Sequence, residues 1–346
     1  MPGFSTTKKP VTNWTSVTHI AALQCVEHGL ITLDEPVSSY LPELLDLKVL
    51  SKNTEPNSST TPFLLEPVTN SITLRHLLSH SSGLDHESND LVKEWRISTK
   101  QTPKENYHPT IHSSKSEIDY DTPLLYEPGK GWIYGVSLEW TSLLLSRLTG
   151  KSLPEYIEES IFKPLGMTSS AYLPQDSPDL CKRMLAMVMR REGNELIPVN
   201  YPLKELIVSL PDLAALLTDL IAPTSKLLKQ EFVDLLFTPQ FAPGSAAFSY
   251  IRKDTENYAA PAGVPSSMTF APVNHSLAAL VIEEKLELSG LPAGTVTWNG
   301  MPNFIWAMNR EKGLVTIFAT QLLPVDDEKT VDLAMEFFRG AWAKFG

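Results

Sequence analysis

The amino-acid order predicts an α+β chain, an antiparallel sheet flanked by helices with an inserted, mostly helical domain. Two observations predict it. Short β-rich runs lie together between residues 275 and 320 and lead into one last amphipathic helix, while helical spacing dominates much of the chain before them. A single domain over residues 1–345 is therefore expected, with 1–50 and 265–345 forming the sheet part and 51–264 the mostly helical part with loops.

The elements follow in order. Val17, Ile20, Ala21, Leu23 and Val26 keep helical spacing from about Thr15 to His28, and Gly29 supplies the stop. Asp34-Glu35-Pro36 turns the chain, and residues 51–71, rich in Ser, Thr, Asn and Pro, read as a surface loop. Thr73 caps a short helix from Leu74 to His80 that ends near Gly83. Residues 85–123 are polar with Pro103, Pro109 and Pro123 and read as a long insertion near a site. Helices are predicted from Ser137 to Leu148, Leu153 to Phe162, Leu213 to Ile221 and Lys226 to Leu236. Strands are predicted at His275–Glu284, Gly294–Trp298, Asn303–Met308 and Leu314–Thr320, with a hairpin turn over Asn309–Gly313. Asp326 or Asp327 caps the final helix through Trp342.

Composition narrows the function. The 346 residues, 42% hydrophobic and 20% charged, allow a sizeable core. A formal charge of −11 with no compensating basic patch argues against a nucleic-acid surface. Cys25 and Cys181 stand in apolar helical contexts without partner spacing, which argues against a disulfide framework or a metal site and for a reducing compartment. The first ten residues lack the apolar core of a signal peptide, and the most apolar stretch, Leu206–Ala222, is broken by Ser209, Pro211, Asp212, Thr218 and Asp219. A cytoplasmic protein without membrane partners is expected.

Glu127-Pro-Gly-Lys-Gly-Trp-Ile-Tyr134-Gly135 carries the first chemical signal. A tyrosine at a loop-to-helix junction is placed to aim its phenol into a cleft between domains, although a packing role is the ordinary alternative. His76 and His80 share a helix face at a zinc-compatible spacing, but no glutamate stands where a zincin needs one. His108 and His112 fall in a Pro-containing loop, where solvated histidines are the default.

Three segments then resemble, in order, the class C β-lactamase-related, penicillin-binding-protein-like serine hydrolases: Leu74–Leu84, Glu127–Tyr134 and Ile161–Met167. Ile20–Gly29, Leu33–Val37 and Asn303 with Arg310–Gly313 are similar to the fungal acyltransferase (lovastatin transesterase-like) and esterase branch. The resemblance implies a β-lactamase/transpeptidase-like fold and three pieces of machinery: a Ser-x-x-Lys turn, a proton-sharing Tyr, and a Lys/His/Trp-x-Gly strand opposite. Tyr134 matches the second piece, with Gly135-Val136 in place of Ser-Asn, and Trp298-Asn299-Gly300 matches the third. Tryptophan offers an apolar wall where antibiotic-binding relatives place a cation, so an ester or thioester with an apolar acyl group is implied.

The first piece has two registers. Ser5-Thr6-Thr7-Lys8 has the family's form, yet an ungapped reading from Gly29 puts Thr12 at the nucleophile and Thr15 at the lysine. An offset of seven helical residues would move Ser5 roughly 10 Å along the axis, too far to meet Tyr134 unless the turn is rebuilt, which favours the ungapped reading, without the activating lysine. Relatives supply outer strands before this helix, so those strands are expected to be missing and a sheet edge to be open. The resemblance implies an acyltransferase, transesterase or esterase of fungal secondary metabolism, with no cofactor and with an acyl carrier protein or coenzyme A as candidate acyl donor. A catalytically silent protein lacking the dyad, and an isomerase or cyclase using Tyr134, are the alternatives.

Overall fold

The computed structural model describes residues 10–12, 16–54, 62–86, 89–101, 121–172, 177–200, 206–253, 262–264 and 268–346. Its helices in chain order are α1 (Ser16–Glu27), α2 (Leu74–Leu78), α3 (Asp90–Ser98), α4 (Ser137–Thr149), α5 (Leu153–Ile157), α6 (Lys163–Leu165), α7 (Pro178–Arg183), α8 (Leu210–Ile221), α9 (Gln230–Leu235), α10 (Ala246–Lys253) and α11 (Glu328–Phe345). Its strands are β1 (Pro10–Thr12), β2 (Lys48–Lys52), β3 (Phe63–Pro67), β4 (Val188–Arg190), β5 (Leu196–Pro198), β6 (Ile207–Ser209), β7 (Val273–His275), β8 (Leu280–Ile282), β9 (Val296–Gly300), β10 (Phe304–Asn309), β11 (Leu314–Phe318) and β12 (Leu322–Leu323). Two compact units divide the chain: Met1–Ala21, Pro154–Pro239 and Arg252–Gly346 form one, and Ala22–Leu153 with Gln240–Ile251 the other.

The first unit is built on an antiparallel sheet in the order β11-β10-β9-β8-β7. Every residue of β10 is buried, as a strand covered on both faces requires, whereas β11 is half-buried along most of its length. Among the described residues β11 is an edge strand. The hairpin between β10 and β11 turns at Asn309, whose side chain accepts from Lys312 N–H at 3.0 Å and donates to Ala293 O and Thr295 Oγ1, both at 3.1 Å. Asp327 caps α11 by accepting from Thr330 N–H at 3.1 Å, and Ala334, Met335, Phe338 and Trp342 form its buried face.

Sequence and structure differ here in two places. The run His275–Glu284 is not one strand: Ser276 Oγ accepts from Ala278 N–H (3.1 Å) and Ala279 N–H (3.2 Å), folding the segment into the β7–β8 hairpin. The middle of the chain also holds strands, β4 and β5 with β12, and β6 with β1. Each has only two or three residues, too few for a period to show in sequence.

The second unit contains the β2–β3 hairpin, α2, α3 and α4. Part of the stretch read as a loop over residues 51–71 is therefore strand, with Leu64 and Leu65 exposed and no alternation of burial to betray it. Helix α3 breaks the stretch read as an insertion; Asn89 caps it through Leu91 N–H at 2.9 Å, and Val92 and Trp95 pack on Leu50. The helices predicted at 137–148 and 153–162 are present, the second continuing from α5 through a π-helical turn, Glu158–Phe162, into α6. The predicted Lys226–Leu236 helix is confined to α9. Helix α1 is buried on nearly every side from Ser16 to Gln24, its polar Ser16, Thr18, His19 and Gln24 as well as its apolar Val17, Ile20 and Leu23. Among the described residues, no helix is long and apolar enough to cross a membrane.

Candidate active site

Tyr134 stands two residues before the N-cap-to-helix junction at Val136 and Ser137, and two features of the second unit hold it there. The first is a seam of main-chain hydrogen bonds between its loop and the segment after α2: Leu125 N–H to Gly83 O (2.9 Å), Gly129 N–H to Ser81 O (2.8 Å) and Ile133 N–H to His80 O (3.0 Å). Glu127 anchors the turn by accepting from Thr69 N–H at 3.0 Å and Asn70 N–H at 3.2 Å. The second is close packing at Gly135. A methyl group there would overlap Leu84 O and approach Asp85 Cα to 2.7 Å, so a glycine is required for the backbone to pass. Tyr134 itself is half-buried, with its ring 4.7 Å from that of His80 at a tilt of 46°.

Behind this loop lie groups that the sequence reading did not single out. Asp85 is buried and accepts from Asn89 Nδ2 at 2.8 Å; burial raises its pKa above the usual carboxylate range. Tyr126 donates to His80 O at 3.2 Å, and burial, assisted by the nearby Asp85, pushes its phenol well above its ordinary value. Ser82 and Ser137 share a hydrogen bond of 2.8 Å between α4 and the residues after α2. His80, considered above for its spacing from His76, has φ +55°, the left-handed region, and is nearly fully buried. His76 completes a capping box with Thr73, and burial lowers its pKa. Among the described residues no group of three or more His, Cys, Asp or Glu is placed to hold a metal ion.

In the first unit, Trp298, Asn299 and Gly300 form the end of β9. They pair with Trp306, Ile305 and Phe304 of β10, while the ladder with β8 ends at Thr297. The motif thus runs past β8 along the strand. Trp298 is only 6% exposed, and its ring meets His275 edge-on at 5.7 Å. His275 is fully buried, with Nδ1 2.5 Å from Ser276 O, and desolvation lowers its pKa to about 3, so that a neutral imidazole supports the indole.

Thr12 belongs to β1 and pairs with Ile207. Its backbone is extended, whereas a Ser-x-x-Lys turn needs helical geometry to put both side chains on one face. Ser5, Lys8 and Thr15 lie outside the described residues, as do His108 and His112.

The chain belongs to the β-lactamase family, whose model matches residues 5–337. Within it, the chain is similar to the acyltransferase calJ of Penicillium decumbens, with 30% identity over 95% of this chain and 79% of the relative. It is likewise 31% identical to the lovastatin esterase of Penicillium rubens, over 95% of this chain and 83% of that protein. Among solved structures, a LovD9 mutant of simvastatin synthase from Aspergillus terreus superposes with a TM-score of 0.82 at 28% identity, covering 98% of this chain and 85% of that one. The fold is thus β-lactamase/transpeptidase-like, and these three relatives are fungal proteins named as an acyltransferase, an esterase and a simvastatin synthase.

Proposed function

We propose that this protein transfers or hydrolyses an acyl group on a small ester or thioester by a serine-hydrolase route. The observation that carries the reading is Tyr134, set between a backbone seam and a glycine that admits no side chain, in a stretch that resembles the one around the family's proton-sharing tyrosine. In this reading Ser5 Oγ attacks the ester carbonyl, its proton passes to the Lys8 amine or the Tyr134 phenolate, and the alcohol or thiol leaves with that proton. The acyl-Ser5 ester then passes its acyl group to a second alcohol or to water. The extended backbone of Thr12 favours the Ser5 register over the ungapped one. Thr12 and Thr15 belong to the same proposal as substrate-binding positions.

The Trp298-Asn299-Gly300 end of β9 supplies the apolar wall and a main-chain donor to the oxyanion, and the neutral His275 behind Trp298 keeps that wall uncharged. An apolar acyl group on a small natural product fits this chemistry. An acyl carrier protein or coenzyme A as donor, and a cytoplasmic place of action, belong to the same proposal. Turnover of p-nitrophenyl butyrate by wild type, Ser5→Ala and Tyr134→Phe tests it. Ester hydrolysis that falls in both variants supports the reading; hydrolysis unaffected by either overturns it. Binding without turnover would point instead to the silent-scaffold alternative.

A further inference from the structure

We propose that His80 is the positioning residue that aims the Tyr134 phenol, an inference that rests on Tyr134 carrying the proton. His80 is 2% exposed, yet its backbone sits at φ +55°, a conformation costly for a residue with a side chain and tolerated only where the surroundings fix it. That backbone turn has a visible result. It points the His80 carbonyl at two donors, Ile133 N–H at 3.0 Å and Tyr126 Oη–H at 3.2 Å. The first is the main-chain N–H of Ile133, the residue before Tyr134, so one carbonyl fixes the chain on the N-terminal side of Tyr134 while the close packing of Gly135 on Leu84 fixes it on the other.

The His80 ring then does for the side chain what its carbonyl does for the main chain. Ring centroids 4.7 Å apart at 46° are in direct contact, so the imidazole closes off part of the space into which the phenol could rotate. A histidine that served only the turn would be replaceable by any residue at ease in the left-handed region. A histidine that aims Tyr134 would not, because glycine and asparagine keep the carbonyl bonds and lose the ring. Tyr126 is part of the same arrangement: its hydroxyl accounts for the second bond to the carbonyl, and Gly131 leaves room for its ring, since a methyl group there would meet Tyr126 Cδ1 at 2.6 Å.

The test is a double-mutant cycle with a spectroscopic arm. His80→Gly and His80→Asn, both compatible with the left-handed backbone, are expected to lower kcat for a p-nitrophenyl ester about 10- to 100-fold with little change in KM. In the Tyr134→Phe background the same changes should cost nothing further. In protein labelled with 13Cζ-tyrosine, the Tyr134 signal, assigned by its loss in Tyr134→Phe, should be single in wild type and broadened or doubled in both His80 variants. Wild-type kcat in His80→Gly, an equal loss in the Tyr134→Phe background, or an unchanged single Tyr134 signal would overturn the proposal. Tyr134→Phe at full activity would instead bring down the catalytic reading of Tyr134, leaving the labelled-tyrosine arm to decide whether His80 orders the ring.

Discussion

Replacing Gly135 by alanine puts the packing argument under direct strain. The added methyl group would overlap Leu84 O and stand 2.7 Å from Asp85 Cα and 3.0 Å from Asp85 Oδ1. Overpacking of this kind costs about 1–3 kcal/mol where side chains can shift. Two of these three neighbours are backbone atoms of a segment stitched down by hydrogen bonds, so the upper end, about 3 kcal/mol, applies. For a chain of this size that corresponds to a fall in Tm of about 4 °C. Two other glycines calibrate the measurement. Gly150 has open space but φ +67°, and Gly150→Ala should cost about 1 kcal/mol. Gly340 lies inside α11 with nothing within 4 Å of where a methyl group would stand, and Gly340→Ala should stabilise by about 0.5–1 kcal/mol. Thermal and urea melts of the three variants should rank Gly340→Ala above wild type, then Gly150→Ala, then Gly135→Ala. A Gly135→Ala protein that melts with wild type would refute the reasoning.

Three further outcomes are expected. Asp85 has a folded pKa above its unfolded value, so its ionisation weighs against folding once pH rises above about 4; Asp85→Asn should raise Tm at pH 7, with the gain shrinking as pH approaches 4. His275 binds its proton only near about 3 when folded, against about 6.5 when unfolded, so the unfolded state holds more protons in that window. Its contribution is complete above pH 6.5 and falls by about 1.4 kcal/mol per pH unit below it, a slope that chemical melts should find reduced in His275→Gln. The Arg96 side chain is 1% exposed and bonds Asp121 at 2.8 Å and Gln101 at 2.6 Å. Asp121→Ala removes one counter-charge of a buried guanidinium and should cost about 2 kcal/mol in urea melts, more than Arg96→Met.

How far the structure was legible in sequence depended on whether its cause was local. Gly29 ending α1, the Asn309–Gly313 turn and the Asp327 cap were readable because each is set by residues within one turn of it. Helix α3 was not, since its apolar residues Leu91, Val92 and Trp95 sit in a polar neighbourhood and acquire meaning only by packing on Leu50, far away in the chain. The β7–β8 turn escaped because a single serine hydroxyl organises it, a signal that composition does not carry. The place of Tyr134 at a loop-to-helix junction was legible, because a Pro-Gly turn and a helix flank it. The left-handed backbone of His80 was not, because its carbonyl partners Tyr126 and Ile133 lie about fifty residues on in the sequence. Spacing made His80 look like half of a histidine pair, whereas its ring lies against Tyr134.

The most direct test of the acyl-transfer reading is covalent. A fluorophosphonate probe reacts only with an activated hydroxyl nucleophile, and peptide mapping then names the residue. The account predicts one adduct, on Ser5, absent in Ser5→Ala and formed more slowly in Tyr134→Phe. No adduct, or ester turnover that survives Ser5→Ala, would contradict it.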